Sequence, residues 1–151
     1  MKKTDRFQIA AAMLISILAI TLSGTIHAEE HEHKKKDEKH AMPENYSDAI
    51  TALETHRDHI TKLIETGKLD DVHHEAENIK KIAESLAKLA SKDESGVAKT
   101  DIKEINLTSK SLAAKFDPID KAGDAGNKAE TQKVFDEMVA LIATLKKFAK
   151  K

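Results

Sequence analysis

The chain has 151 residues, with 25 lysines and arginines set against 26 aspartates and glutamates, no cysteine and 3% aromatic residues. A formal charge of −1 gives no electrostatic case for a nucleic-acid partner. Without cysteine there are no disulfides, thiolate metal sites, iron–sulfur clusters, thiol nucleophiles or thioether-attached haem, and so few aromatics leave no stacking platform for carbohydrate.

The first element is a leader. Lys2, Lys3 and Arg6 precede an apolar run from Ile9 to Leu22, and Ser23, Gly24 and Thr25 then break the helix before Ile26-His27-Ala28. Such a run suits a signal-peptide core and falls short of the ~20 residues needed to span a bilayer. Cleavage after Ala28 and export, to a bacterial periplasm, are expected; an uncleaved N-terminal anchor is the competing reading. Removing residues 1–28 takes away Lys2, Lys3, Arg6 and Asp5, which moves the formal charge from −1 to −3.

The new N-terminus would read Glu29-Glu30-His31. A free amine, two deprotonated backbone amides and the imidazole of His31 supply four nitrogens in a plane, the geometry favoured by Cu(II) and Ni(II). The arm, residues 29–42, has no apolar residue between Glu29 and His40 and is expected to be disordered. His31, His33 and His40 stand there among carboxylates as a loose attractor for transition metals. A solvated charged linker is the plainer reading of the same residues.

From Pro43 onward the pattern is helical. Pro43 suits a first turn, and Glu44 and Asp48 suit its positive end. Tyr46, Ile50, Leu53, Ile60 and Ile64 form the first apolar stripe, with Ala49, His56 and Leu63 on the adjoining row and Gly67 placed as a left-handed cap. A second helix is expected to start near Asp70, as its cap, with Val72, Ala76, Ile79, Ala83, Leu86 and Ala90 as its stripe and Ile82 and Leu89 widening it. After a loop at residues 91–96, a third stripe runs through Ala98, Ile102, Ile105, Leu112, Phe116 and Ile119, interrupted by Ser109. Asp117-Pro118 is expected to end or kink that helix, and Gly123 to Gly126 to form a turn. Asn127 with Glu130 caps the last helix, whose stripe is Phe135, Met138, Ile142 and Leu145, widened by Val134, Leu141 and Phe148. The whole predicts an all-α, up-down-up-down antiparallel four-helix bundle over residues 43–151.

Chemistry gathers near the first connection. His56 and His59 share a side of the first helix, and His73 and His74 open the second, with Glu77 one turn after His73. In a hairpin through Gly67, a rise of ~1.5 Å per residue puts His59 and Glu77 at similar depths. His59, His73 and Glu77 are therefore expected co-ligands across the seam, with His56 beside them, and imidazole plus carboxylate suits Zn, Cu or Ni. Boundary histidines without a metal are the alternative, and His73 near a helix N-terminus is electrostatically a poor place for a cation. Catalysis is not expected. Acidic residues stand three or four positions from lysines, as solvated helices require, and no phosphate-binding glycine loop or nucleophile elbow is present.

The leader, the four stripes and the capped final helix resemble the exported cytochrome c-prime and b-type bundle cytochromes. That resemblance implies the four-helix architecture and, were haem bound, electron transfer. The c-prime members attach haem through C-x-x-C-H, which this chain lacks. The b-type members use a methionine on the first helix and a histidine on the last, whereas here the last helix has no histidine and Met42 precedes Pro43. A swapped pair, His56 with Met138, would satisfy haem iron. The segments GKLDDVH (Gly67 to His73) and FDPIDKAGDAG (Phe116 to Gly126) also resemble those of small exported helical proteins, from which no chemistry carries over. The functional expectation is a periplasmic, non-catalytic binding module for Cu, Ni or Zn. The alternatives are a cofactor-free module docking on an envelope protein and a bundle-cytochrome-like carrier. No nucleic-acid partner, and no membrane span after signal cleavage, is expected.

Overall fold

The computed structural model describes residues 42–149; the expected signal peptide and arm residues His31, His33 and His40 lie outside the described residues. Within the described residues the chain is helical and contains no strand. Its helices are α1 (Tyr46–Thr66), α2 (Val72–Ala90), α3 (Ile102–Ala113), α4 (Phe116–Asp124) and α5 (Lys128–Lys146). The third expected helix is delivered in two pieces, α3 and α4, so five helices stand among the described residues where four were expected. α2 packs on α1, α3 and α4, and α5 packs on the same three, so the segments enclose one core. No helix among the described residues is long and apolar enough to cross a membrane.

The core follows the stripes. Tyr46, Leu53 and Ile60 of α1, Ile79 and Leu86 of α2, Ile105 and Leu112 of α3, Ile119 of α4, and Met138, Ile142 and Leu145 of α5 are fully enclosed. Each such side chain contributes roughly 1.5–3 kcal/mol on leaving water. The interrupting Ser109 is buried too, and its hydroxyl donates to the Asn106 carbonyl at 3.2 Å. The Tyr46 hydroxyl donates to the Leu145 carbonyl at 2.9 Å. The same carbonyl, in the last turn of α5, also accepts from the Phe148 N–H at 3.2 Å, so the tyrosine fills its second lone pair and ties α1 to the end of α5. Burial pushes the Tyr46 phenol well above its usual range, so this donor keeps its proton.

Helix ends differ from expectation in instructive ways. α1 is capped by Asn45, whose side-chain oxygen accepts from the Asp48 N–H at 2.9 Å while its amide donates to the Asp48 carboxylate at 2.7 Å. Pro43 therefore precedes the cap instead of occupying the first turn. At the other end Gly67 adopts φ +74°, and the amides of Gly67 and Lys68 close back on the carbonyls of Ile64 and Leu63, the paired bonds of a Schellman cap. Leu69–Asp71 then form a 3₁₀ turn, and α2 proper starts at Val72 without a side-chain cap from Asp70 or Asp71. Asn127 caps α5 as expected, accepting from the Glu130 N–H at 3.2 Å.

The third stripe starts later than expected. Ala98 is exposed and precedes α3, which begins at Ile102. The break between α3 and α4 falls at Ala114 and Lys115, upstream of Pro118. Pro118 has no N–H to offer Ala114, four residues back, and its ring would collide with that carbonyl. The chain yields there, with Lys115 bonding Leu112 one residue short of helical register. Pro118 itself sits within the first turn of α4.

Gly123 lies inside α4 and is buried, so the expected turn is confined to the residues after Asp124. A Cβ at Gly123 would stand 2.8 Å from the Leu69 carbonyl oxygen. Only a glycine lets α4 lie this close to the 3₁₀ turn. The two segments singled out in the sequence, 67–73 and 116–126, thus pack on one another. Gly123→Ala is expected to destabilise the fold by about 1–3 kcal/mol, since the obstacle is backbone that cannot swing aside. Urea unfolding of the two proteins measures it.

Candidate metal centre

His56 occupies an interior position of α1, in register with Ala49 and Leu53 on one side and Ile60 on the other, and is 2% exposed. A buried imidazole needs a polar partner. Glu75, in the first turn of α2, supplies one: its Oε2 lies 2.6 Å from His56 Nδ1. The same oxygen lies 3.4 Å from Nδ1 of His59, one turn further along α1. The two rings meet edge to face with centroids 6.3 Å apart. One donor atom from each of His56, His59 and Glu75 falls within 4.8 Å of the others.

Donor atoms this close could hold a metal ion. A tetrahedral zinc with bonds of ~2.0 Å holds its donors about 3.3 Å apart. The His59–Glu75 distance already matches that spacing. The His56–Glu75 contact is shorter and would have to open by about 0.7 Å for an ion to take the place of the proton between them. Burial pushes the Glu75 carboxyl up, but the hydrogen bond and charge of His56, and then those of His59, outweigh it and hold the group below its ordinary range. Glu75 therefore binds fewer protons folded than unfolded. Its contribution to stability is complete above the unfolded value of about 4.3 and is lost as the pH falls through the lower folded value. Stability measured by urea across this acid range is expected to fall more steeply for the native chain than for Glu75→Gln.

Of the residues expected to share a site, the structure unites His56 and His59 and sends the others elsewhere. His73 Nδ1 lies 2.6 Å from Asp120 Oδ1 on α4, its ring packed against Phe116 and His74. Glu77 pairs with Lys81 at 2.9 Å, which draws its carboxyl down. The expected seam of His59, His73 and Glu77 is not formed. Glu77 lies two residues past Glu75, about 200° around the helix at 3.6 residues per turn, and so looks away from α1.

Glu75 is the residue that sequence reading missed. It stands one heptad before Ile82 and two before Leu89, the row that widens the α2 stripe. His56 stands one heptad after Ala49 on the facing helix. A histidine and a carboxylate at interior positions of adjacent stripes were the available signal.

A haem held between His56 and Met138 does not suit this interior. Both side chains are enclosed by the core, and His56 Nδ1 faces Glu75, so a macrocycle would have to part the packed helices. Neither a protein-family model, nor a curated protein, nor a solved structure matches the chain.

Proposed function

We propose that the protein is a non-catalytic module that binds a transition-metal ion, Zn(II), Cu(II) or Ni(II), through histidines, and that it does so in the periplasm after its leader is removed. The observation that carries this reading is the convergence of His56, His59 and Glu75 on one point between α1 and α2. Two imidazoles and one carboxylate are a donor set that these ions accept. The scaffold in this reading is an up-down-up-down antiparallel bundle. The bond from Tyr46, first in α1, to Leu145, near the end of α5, supports that topology, as does the tight cap at Gly67. The arm with His31, His33 and His40 collects ions, copper and nickel best at the processed N-terminus. The lack of catalysis fits carboxylates that are engaged by neighbouring cations, as Glu54 is by Arg57 and Lys146, and Glu130 by Lys133.

Isothermal titration of the processed chain with Zn(II), Cu(II) and Ni(II) tests the reading. With His31, His33 and His40 all changed to alanine, one ion per chain is still expected to bind, and further change of His59→Ala and Glu75→Gln is expected to abolish that uptake. No heat from either the processed chain or the arm variant overturns the metal reading and favours the cofactor-free interaction module.

A further inference from the structure

We infer that Asp120 of α4 is a positioning residue for this centre: by holding His73 it sets the rotation of the first turn of α2, and so presents Glu75 to His56 and His59. This role presupposes the metal reading above and names the contact on which the affinity of the same centre depends.

Glu75 stands in the first turn of α2, and no side chain caps that end. Packing from two sides fixes the turn instead. His73 precedes Glu75 by two residues, about 200° around the axis at 3.6 residues per turn, so the two side chains leave α2 in nearly opposite directions. Glu75 reaches α1, with Oε2 2.6 Å from His56 Nδ1 and 3.4 Å from His59 Nδ1. His73 reaches α4, with Nδ1 2.6 Å from Asp120 Oδ1. An ionised carboxylate only accepts, so Nδ1 of His73 carries the proton that joins them. Val72 and Ala76 have no exposed surface, so the turn stays seated on the core and its rotation is the freedom left to fix.

One face of α4 provides the hold. Phe116, Asp120 and Gly123 are spaced four and three residues apart and share that face. Gly123 admits the Leu69 carbonyl of the 3₁₀ turn, where a Cβ would stand 2.8 Å away. Asp120 takes His73, and Phe116 meets the same imidazole edge-on with centroids 5.5 Å apart. The Lys80 ammonium, further along α2, lies 4.7 Å over the Phe116 ring. Side chains reach ~5–6 Å from a helix axis, so a rotation of about 10° displaces the Glu75 carboxylate by about 1 Å. Metal–ligand bonds tolerate only about 0.2 Å. The segments 67–73 and 116–126 therefore serve the centre although neither contains one of its ligands.

Cobalt(II) serves as the probe, since its visible d–d bands report both binding and ligand geometry. The processed chain with His31, His33 and His40 changed to alanine is titrated with cobalt, alone and with further substitutions. Asp120→Ala is expected to weaken binding roughly 2- to 30-fold. His73→Ala is expected to weaken it equally, with no further loss when the two are combined. Asp120→Asn keeps an oxygen for the His73 N–H and is expected to recover most of the affinity. Ile142→Val, a core change in α5 outside both pairs, controls for general softening and is expected to leave the affinity unchanged. Unchanged affinity in Asp120→Ala and His73→Ala overturns this inference and leaves the metal reading standing. So does an equal loss in Ile142→Val, and so do unequal losses at positions 73 and 120, as arise if His73 is itself a ligand. A parent chain that binds no cobalt, or binds it as well after Glu75→Gln, brings down the metal reading and this inference together.

Discussion

Zinc at about a hundred times its dissociation constant is expected to stabilise the folded chain by about 2.7 kcal/mol. For a helical domain of this size that corresponds to a rise of roughly 10 °C in the thermal midpoint. The effect arises because the three donors come from two helices that are together only in the folded state. His56 and His59 belong to α1, and Glu75 to α2. An ion that His31, His33 or His40 held equally well in the folded and the unfolded chain would leave the midpoint unmoved. Thermal shift therefore separates the folded centre from the arm, which heat of binding alone does not. His59→Ala is the discriminating variant. Its side chain is nearly half exposed, so its removal is expected to change the metal-free midpoint little, yet it takes away a ligand. Scanning calorimetry with and without zinc is expected to show the shift in the native chain and most of it lost in His59→Ala. An equal shift in both proteins would place the ion elsewhere.

The helices were legible because their signal is local. Stripes at three- and four-residue spacing mark the face each helix buries, and Val72, Ile79, Leu86, Ile105, Met138 and Ile142 all lie inside as read. Helix ends were less so, since they depend on competition between neighbouring caps. Asn45 outcompeted Pro43 as the start of α1, and the 3₁₀ turn at Leu69–Asp71 delayed α2 past Asp70. Pro118 announced a break but not its place, because its clash acts four residues upstream at Ala114. Gly123 looked like a turn residue, and only the approach of Leu69 reveals that it makes room for α4. The centre was half legible. Histidines draw attention by type, so His56 and His59 were seen, whereas Glu75 is one carboxylate among many. Depth along a hairpin placed Glu77 level with His59, but depth is only one coordinate. Azimuth around α2 decides which carboxylate faces α1, and a register fixed by tertiary packing determines it.

The second large effect concerns the balance between stability and binding in that same seam. Glu75→Leu is expected to destabilise the metal-free fold by about 1–3 kcal/mol, because it removes the carboxylate that His56 contacts at 2.6 Å and leaves a buried polar ring less well satisfied. His56→Leu is expected to cost less. The Glu75 carboxylate is partly exposed and still has His59 within 3.4 Å. The double variant, His56→Leu with Glu75→Leu, removes the polar pair entirely and continues the apolar rows of α1 and α2. Replacement of a buried ionic pair by well-packed hydrophobes is commonly neutral or stabilising by about 1–4 kcal/mol. The double variant is therefore expected to be at least as stable as the native chain, with strong non-additivity between neighbouring positions, and to have lost its zinc-dependent thermal shift. Urea unfolding of all four proteins in the presence of a chelator gives the cycle. A double variant as unstable as the sum of its parts would mean that the pair holds α1 against α2 for structural reasons. A stable double variant that no longer responds to zinc would mean that the native seam gives up packing stability to keep a histidine and a carboxylate where an ion can use them.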